Sequence, residues 1–202
     1  MSDMGTEPTG QPSKKPSPPA NFDKTGGDKI LAAKPSELIL IALEDIKKVE
    51  RSKIYKIDMS TWHTIRHEYE TGEDNEEPRK EPRKVCYVCE GGAVMAMTLK
   101  MNFDEELGPD DIHNGEEVKK IRSRIEALDN ARCGNMRAYL KPFGIPKEHP
   151  IWVDMEDKYD EKTSQWTYSW WTQQKLPHYS DDPKTFKKVQ RQFVKRLQQF
   201  DL

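Results

Sequence analysis

Fifteen consecutive residues, 85–99, read VCYVCEGGAVMAMTL, and Glu90 is the only charged residue among them. A segment this apolar has no face to offer to water, so the fold must bury it on several sides. Its length and composition predict a helix, the third of the domain. Gly91 and Gly92 would then lie in its middle, where each weakens a helix by about 1 kcal/mol relative to alanine. Two glycines there predict either a helix or ligand approaching their backbone closely, or a break in the helix.

The remaining elements arrange themselves around that segment. A first helix follows Pro35, with Ser36 as its N-cap and Glu37 in its first turn, and carries Leu38, Ile39, Ala42, Leu43, Ile46 and Val49 at helical spacing. Residues 54–57 form a short extended piece. Asp58 or Ser60 then caps a second helix over 61–70, in which Trp62, Ile65 and Tyr69 recur at three- and four-residue steps. Residues 72–82, rich in Gly, Asn, Pro and charge, read as an exposed loop. Val118, Ile121, Ile125 and Leu128 define a fourth helix stopping at Gly134, and Met136, Tyr139 and Leu140 add a further turn. Over 151–171 the period changes to two, which predicts a β-hairpin whose loop is the polar stretch 156–164. Residues 183–200 close the chain as an amphipathic helix with Phe186, Val189, Phe193, Leu197 and Phe200 on one side. The expectation is a mainly α (α+β) fold: a compact helical domain of about five helices over residues 30–202, with one β-hairpin near the C-terminal third.

Residues 1–29 contain one aromatic, Phe22, among Pro, Ser, Gly, Thr and Lys. Burying so little apolar surface does not offset the entropy of ordering the backbone, so a disordered arm is expected. The longest uninterrupted apolar run, 38–43, is far shorter than the roughly 20 residues of a membrane helix. Three cysteines, two of them two residues apart, fit a reducing compartment better than a secreted disulfide framework, and a cytoplasmic location is expected. With 33 Lys and Arg against 35 Asp and Glu the net charge is -2, which gives no overall bias toward nucleic acid or anionic membrane. The charges are nevertheless segregated: residues 68–81 and 154–182 are acidic and the last helix is basic. Docking of that basic helix on an acidic surface of the same chain competes with docking on an external partner.

Chemistry-bearing residues are sparse. His63 and His67, four apart on the expected second helix, together with Cys86 and Cys89 have the donor types of a tetrahedral zinc site. A cysteine pair inside an apolar helix also behaves simply as two small hydrophobes. His113, His149 and His178 fall in loops without a recognisable partner, and no nucleophile elbow or phosphate loop is present; Gly91-Gly92 is retained as a point of ligand approach. An aromatic cluster, Trp166, Tyr168, Trp170 and Trp171, is the stronger candidate for contact with a partner, because such side chains are enriched in interfaces and stack on bases. In a hairpin Trp171 would point away from Trp166 and Trp170, leaving one face in the core and the other exposed. Lys187, Lys188, Arg191 and Lys195 on the basic helix face join the candidate surface, as contacts for a protein or for nucleic-acid phosphate.

The stretches Tyr55-x-Ile57-Asp58-Met59-x-x-Trp62, then Cys86-x-x-Cys89-x-Gly91-Gly92-Ala93-Val94-Met95-Ala96-x-Thr98-Leu99, then Ala127-Leu128-Asp129-x-x-Arg132-x-Gly134, covering roughly residues 54–140, resemble a group of small proteins of tailed bacteriophages and prophages that has no assigned activity. The resemblance carries over no catalytic residue. It implies an accessory phage product in the bacterial cytoplasm that binds a host component, most readily a protein; a ligand-binding or metal-dependent enzymatic domain and a nucleic-acid binder are the alternatives.

Overall fold

The computed structural model describes residues 22–69, 82–101, 106, 108, 110, 112, 115–155, 157–176 and 182–202. The arm expected over 1–29 therefore lies largely outside the described residues, as do most of the 72–82 loop, His113 and His178. The described part is a mixed, mainly helical α+β structure. Its first helix, α1 (Lys24–Ala32), begins inside the stretch assigned to the arm on composition. Asp23 caps it, accepting a hydrogen bond from the Thr25 amide at 3.0 Å. Gly26 and Gly27 allow what composition does not reveal. A Cβ on Gly26 would overlap the backbone carbonyl of Thr98, so α1 lies directly against the end of another element. Ile30 is wholly buried.

The second helix, α2 (Pro35–Glu50), is the centre of the fold, packing against the strand Tyr55–Ile57 and the helices Glu90–Met97 and Pro183–Gln198. Leu38, Ile39, Ala42, Ile46 and Val49 are fully buried, as the periodicity predicts. Its cap differs from expectation. Pro35 already occupies the first turn, Ser36 is buried within it, and the Glu37 carboxylate accepts a hydrogen bond from the Lys34 amide at 2.8 Å.

The largest departure lies in the middle of the chain. Neither the helix expected over 61–70 nor the long one over 85–99 forms. In their place stand β2 (His63–Glu68) and β3 (Arg83–Val88), joined by β1 (Tyr55–Ile57) from the extended piece expected over 54–57, in the order β1-β3-β2, with β1 parallel and β2 antiparallel to β3. The apolar run divides after Val88 into this central strand and the helix α3 (Glu90–Met97). A strand buried in a sheet and a helix buried all round have the same composition, which is why periodicity did not separate them. Register sorts the sheet into two faces. Tyr55, Cys86, Val88 and His63 face the core, while Lys56, Tyr87 and Glu68 form a polar cluster on the other side, where the Tyr87 hydroxyl and the Lys56 ammonium both donate to the Glu68 carboxylate.

The helices α4 (Glu116–Arg132) and α5 (Met136–Leu140) follow the sequence reading, with Gly134 in the left-handed conformation at φ 73° between them. Across 151–173 the hairpin expected over 151–171 gives way to two helical turns with a shorter two-stranded ribbon between them. Residues 151–154 form a helical turn, α6 (Ile151–Asp154), and residues 170–173 another, α7 (Trp170–Gln173). Between them β4 (Lys158–Asp160) pairs antiparallel with β5 (Gln165–Thr167) as a short ribbon. The last helix, α8 (Pro183–Gln198), buries Phe186, Val189, Phe193 and Leu197 against the core. Among the described residues no helix is long and apolar enough to cross a membrane.

Candidate functional site

The four residues with zinc-ligand chemistry do not assemble. His63 and His67 lie on a strand, so they share a face but are spread along it, opposite Val88 and Lys84 respectively. His67 is exposed. Cys86, on the core face of β3, meets only His63, its Sγ 3.3 Å from Nε2. Cys89 sits apart as the N-cap of α3, and its side chain makes no capping hydrogen bond there. Among the described residues no three His, Cys, Asp or Glu side chains gather in a way that could hold an ion. Burial pushes the Cys86 thiol up to about 12 and the Cys89 thiol up to about 11. Both groups therefore stay protonated at neutral pH, and with both residues shut away from solvent the Cys86–His63 contact lacks the thiolate and the access that nucleophilic chemistry requires.

Gly91 and Gly92 are approached closely, but by the protein itself. The six-membered ring of Trp62 occupies the space of a Cβ at Gly91, and the backbone carbonyl of Trp62 that of a Cβ at Gly92. The pair seats the β1–β2 connection on the first turn of α3, which leaves no room there for a ligand. His149 also has a structural role, its Nδ1 accepting a hydrogen bond from the Ile151 amide at 3.2 Å ahead of α6.

The aromatic cluster divides. Trp171 is buried, edge-on to Phe193 with ring centroids 6.0 Å apart. Trp170 is half-buried beneath Arg196. By contrast, Trp166 and Tyr168 remain 55% and 50% exposed, joined by Tyr159 at 49%. Tyr159 pairs directly with Trp166 across the ribbon, their ring centroids 5.2 Å apart. Tyr168 lies two residues on from Trp166, on the same side, and the two rings stack at 6.3 Å and 12°. The result is a continuous aromatic face on a ribbon none of whose described side chains is buried. Its base is clamped: Asp157 accepts hydrogen bonds from the Ser169 amide at 2.6 Å and the Thr172 hydroxyl at 3.2 Å, next to the buried Trp171. The sequence singled out Trp166 and Tyr168 but not Tyr159, which becomes visible only once the register places it opposite Trp166.

The basic helix divides in the same manner. Lys187 is drawn into an ion pair with Glu50 of α2 at 2.5 Å, and Arg196 makes a two-pronged pair with Asp154 of α6. Part of the tail is thus docked on acidic groups of its own chain. Lys188, Arg191 and Lys195 face solvent and form no ion pair among the described residues. Lys195 and Arg196 line a groove of about 240 Å³ with Trp170, Gln174, Gln192 and Gln199.

These features define a small α+β protein that presents an aromatic ribbon beside a partly neutralised basic helix. No protein family, curated protein or solved structure matches the chain.

Proposed function

We propose that this protein is a non-enzymatic binding protein, a phage accessory product that engages a host protein in the bacterial cytoplasm through the aromatic face of its ribbon. The observation that carries the reading is the stacked array of Tyr159, Trp166 and Tyr168, each about half exposed. Three large rings held in water on one rigid support are unfavourable for an isolated chain and well suited to the desolvated centre of an interface. The clamp at Asp157 lowers the entropy lost when that face is buried, since the ribbon is held in one geometry beforehand. Lys188, Arg191 and Lys195 supply cationic groups that favour a partner with an acidic rim.

The test is affinity capture from bacterial lysate with the parent protein and a Trp166→Ala, Tyr168→Ala double variant, both treated with nuclease. Any captured protein is then purified and titrated by calorimetry. A partner that survives nuclease and binds the variant at least about tenfold more weakly supports the reading. Equal capture by both proteins refutes the ribbon as the interface. Loss of all capture on nuclease treatment would favour the nucleic-acid alternative.

A further inference from the structure

The basic helix carries its unpaired cations in a pattern. Lys188, Arg191 and Lys195 follow one another at three- and four-residue steps on α8, so they share one face, spaced about 4.5 and 6 Å along the axis. All three are exposed, and none forms an ion pair among the described residues. The cations on the two flanks are already held, Lys187 by Glu50 of α2 and Arg196 by Asp154 of α6. Like charges at these steps repel and weaken a helix. An anion laid along the stripe removes that repulsion, and a chain of regularly spaced anions removes it at every step.

The sequence of α8 places no aromatic residue on this face, and the fold supplies one from α7. The buried Trp171 holds α7 against Phe193 of α8, which sets the half-buried Trp170 and the exposed Gln174 beside Gln192, Lys195 and Gln199. With Arg196 they enclose the groove of about 240 Å³, which no acidic side chain lines. The side-chain amides of Gln174 and Gln192 have no hydrogen-bond partner among the described residues. Arg196 donates to the Gln199 side-chain oxygen at 2.7 Å, which leaves the Gln199 N–H₂ to donate elsewhere. Groove and stripe meet at Lys195. This volume is below the roughly 300–1,000 Å³ of clefts that enclose a whole small ligand, and it suits one planar ring. A nucleic-acid base fits that description, with an indole to stack on and amides that offer both a donor and an acceptor to its edge. Its phosphates then lie outside the groove, where the stripe is. The carboxylates of an acidic peptide would satisfy the cations and leave the indole and the amides unused.

We propose that this surface binds single-stranded nucleic acid, one unpaired base stacked on Trp170 in the groove and the phosphates of the strand running along Lys188, Arg191 and Lys195. None of the three exposed ribbon rings lines the groove, so the protein-binding reading of the ribbon and this one stand or fail separately.

The experiment is fluorescence anisotropy with fluorescein-labelled oligothymidylate and oligouridylate of about 12 nucleotides, within the site sizes that such surfaces cover. A duplex of the same length and polyglutamate, both unlabelled, are the competitors, at about 50 mM salt and then at rising salt. Four variants accompany the full-length parent: Lys188→Glu with Arg191→Glu, Trp170→Leu, Gln174→Ala with Gln192→Ala, and Trp166→Ala with Tyr168→Ala. A control, Lys24→Glu with Lys120→Glu, reverses the same number of exposed charges on α1 and α4. Thermal melts show which variants are folded, and the glutamine pair keeps the groove testable if Trp170→Leu is not.

The expected result is a single strand bound with a log–log salt slope of about −2, as three phosphate contacts give. The reversals at Lys188 and Arg191 weaken binding at least about tenfold and flatten that slope. Trp170→Leu weakens it roughly 5- to 150-fold and the glutamine pair at least about threefold, while the ribbon variant and the control bind like the parent. Tighter binding of the uridylate assigns RNA, read through its 2′-hydroxyl; tighter binding of the thymidylate assigns DNA, and equal binding assigns the backbone common to both. The proposal is overturned if neither strand binds more tightly than about 1 mM, or if the duplex or polyglutamate competes as well as the unlabelled single strand. It is equally overturned if folded groove variants bind like the parent, or if the ribbon variant or the control loses as much affinity as they do.

Discussion

The carbonyl of Trp62 rests on the backbone of Gly92, in the place where any other residue would carry its Cβ. The ring of the same tryptophan covers Gly91. One residue thus locks the entry to β2 against the first turn of α3, and the two glycines respond differently to substitution. Gly92→Ala sets a methyl group against backbone and is expected to destabilise the protein by about 3 kcal/mol or more. Gly91→Ala sets it against a side chain. Pairing Gly91→Ala with Trp62→Ala is expected to show favourable coupling in a double-mutant cycle measured by urea unfolding, and pairing Gly92→Ala with Trp62→Ala to show none.

Arg124 of α4 reaches the C-terminal end of α1, its Nη1 donating to the carbonyls of Ile30, Leu31 and Ala33 at 2.6, 2.7 and 3.0 Å. These carbonyls end a helix and have few other partners, and a cation is the natural complement to them. Arg124→Ala is expected to lower stability by roughly 2–4 kcal/mol. Amide hydrogen exchange is expected to rise chiefly over residues 24–33; an even rise across the whole chain would count against this capping role.

Glu90, in the first turn of α3, is 1% exposed, and neither carboxylate oxygen has a hydrogen-bond partner among the described residues. Burial raises its pKa well above the ordinary carboxylate value; Arg132 opposes the shift and Asp129 adds to it. The folded chain therefore keeps a proton that the unfolded chain releases. Its stabilising contribution is complete below the unfolded pKa and is lost as pH rises through the higher folded one. Glu90→Gln is expected to match the parent in acid and to exceed it near about pH 8 by on the order of 1 kcal/mol. Urea midpoints compared across that range decide it, and a constant gap would be the contrary outcome.

The thiols make a simpler test. Burial holds Cys86 and Cys89 protonated, whereas Cys133 is only partly covered. A thiol reagent at neutral pH is expected to modify Cys133 first in the native protein and the other two only on unfolding, as read by peptide mass mapping.

The two ends of the aromatic cluster are expected to separate stability from binding. Trp171→Ala empties a core position against Phe193 and is expected to cost roughly 3–5 kcal/mol. Trp166→Ala removes a ring already half in water and is expected to shift stability by about 0.5 kcal/mol or less. Thermal unfolding of both variants checks the pair.

Where a segment presents one apolar stripe to one core, its sequence determined its structure. The helices α2, α4 and α8 are such segments, and their buried residues are those that recur at helical spacing. Lys188, Arg191 and Lys195 were visible in the same way, as polar side chains opposite the apolar stripe of the last helix, whereas the sequence marked Trp166 and Tyr168 as candidates without deciding which face of the aromatic cluster is buried.

Tertiary structure decided the segments whose hydrogen bonds or neighbours lie far away in sequence. Residues 63–68 became a strand because β3 stood ready to pair with them, although Ile65 falls at helical steps from Trp62 and Tyr69 on either side. Residues 24–29 became helix because Thr98 lies against Gly26 and Arg124 caps the carbonyls beyond, contacts that local composition does not encode. Cys89 parted from Cys86 at the boundary between a strand and a helix inside one apolar run. Trp170, Gln174, Gln192 and Lys195 met around one groove because the buried Trp171 holds α7 against Phe193 of α8. Periodicity reports which side of a segment is buried, and it carries no information on the partner that buries it.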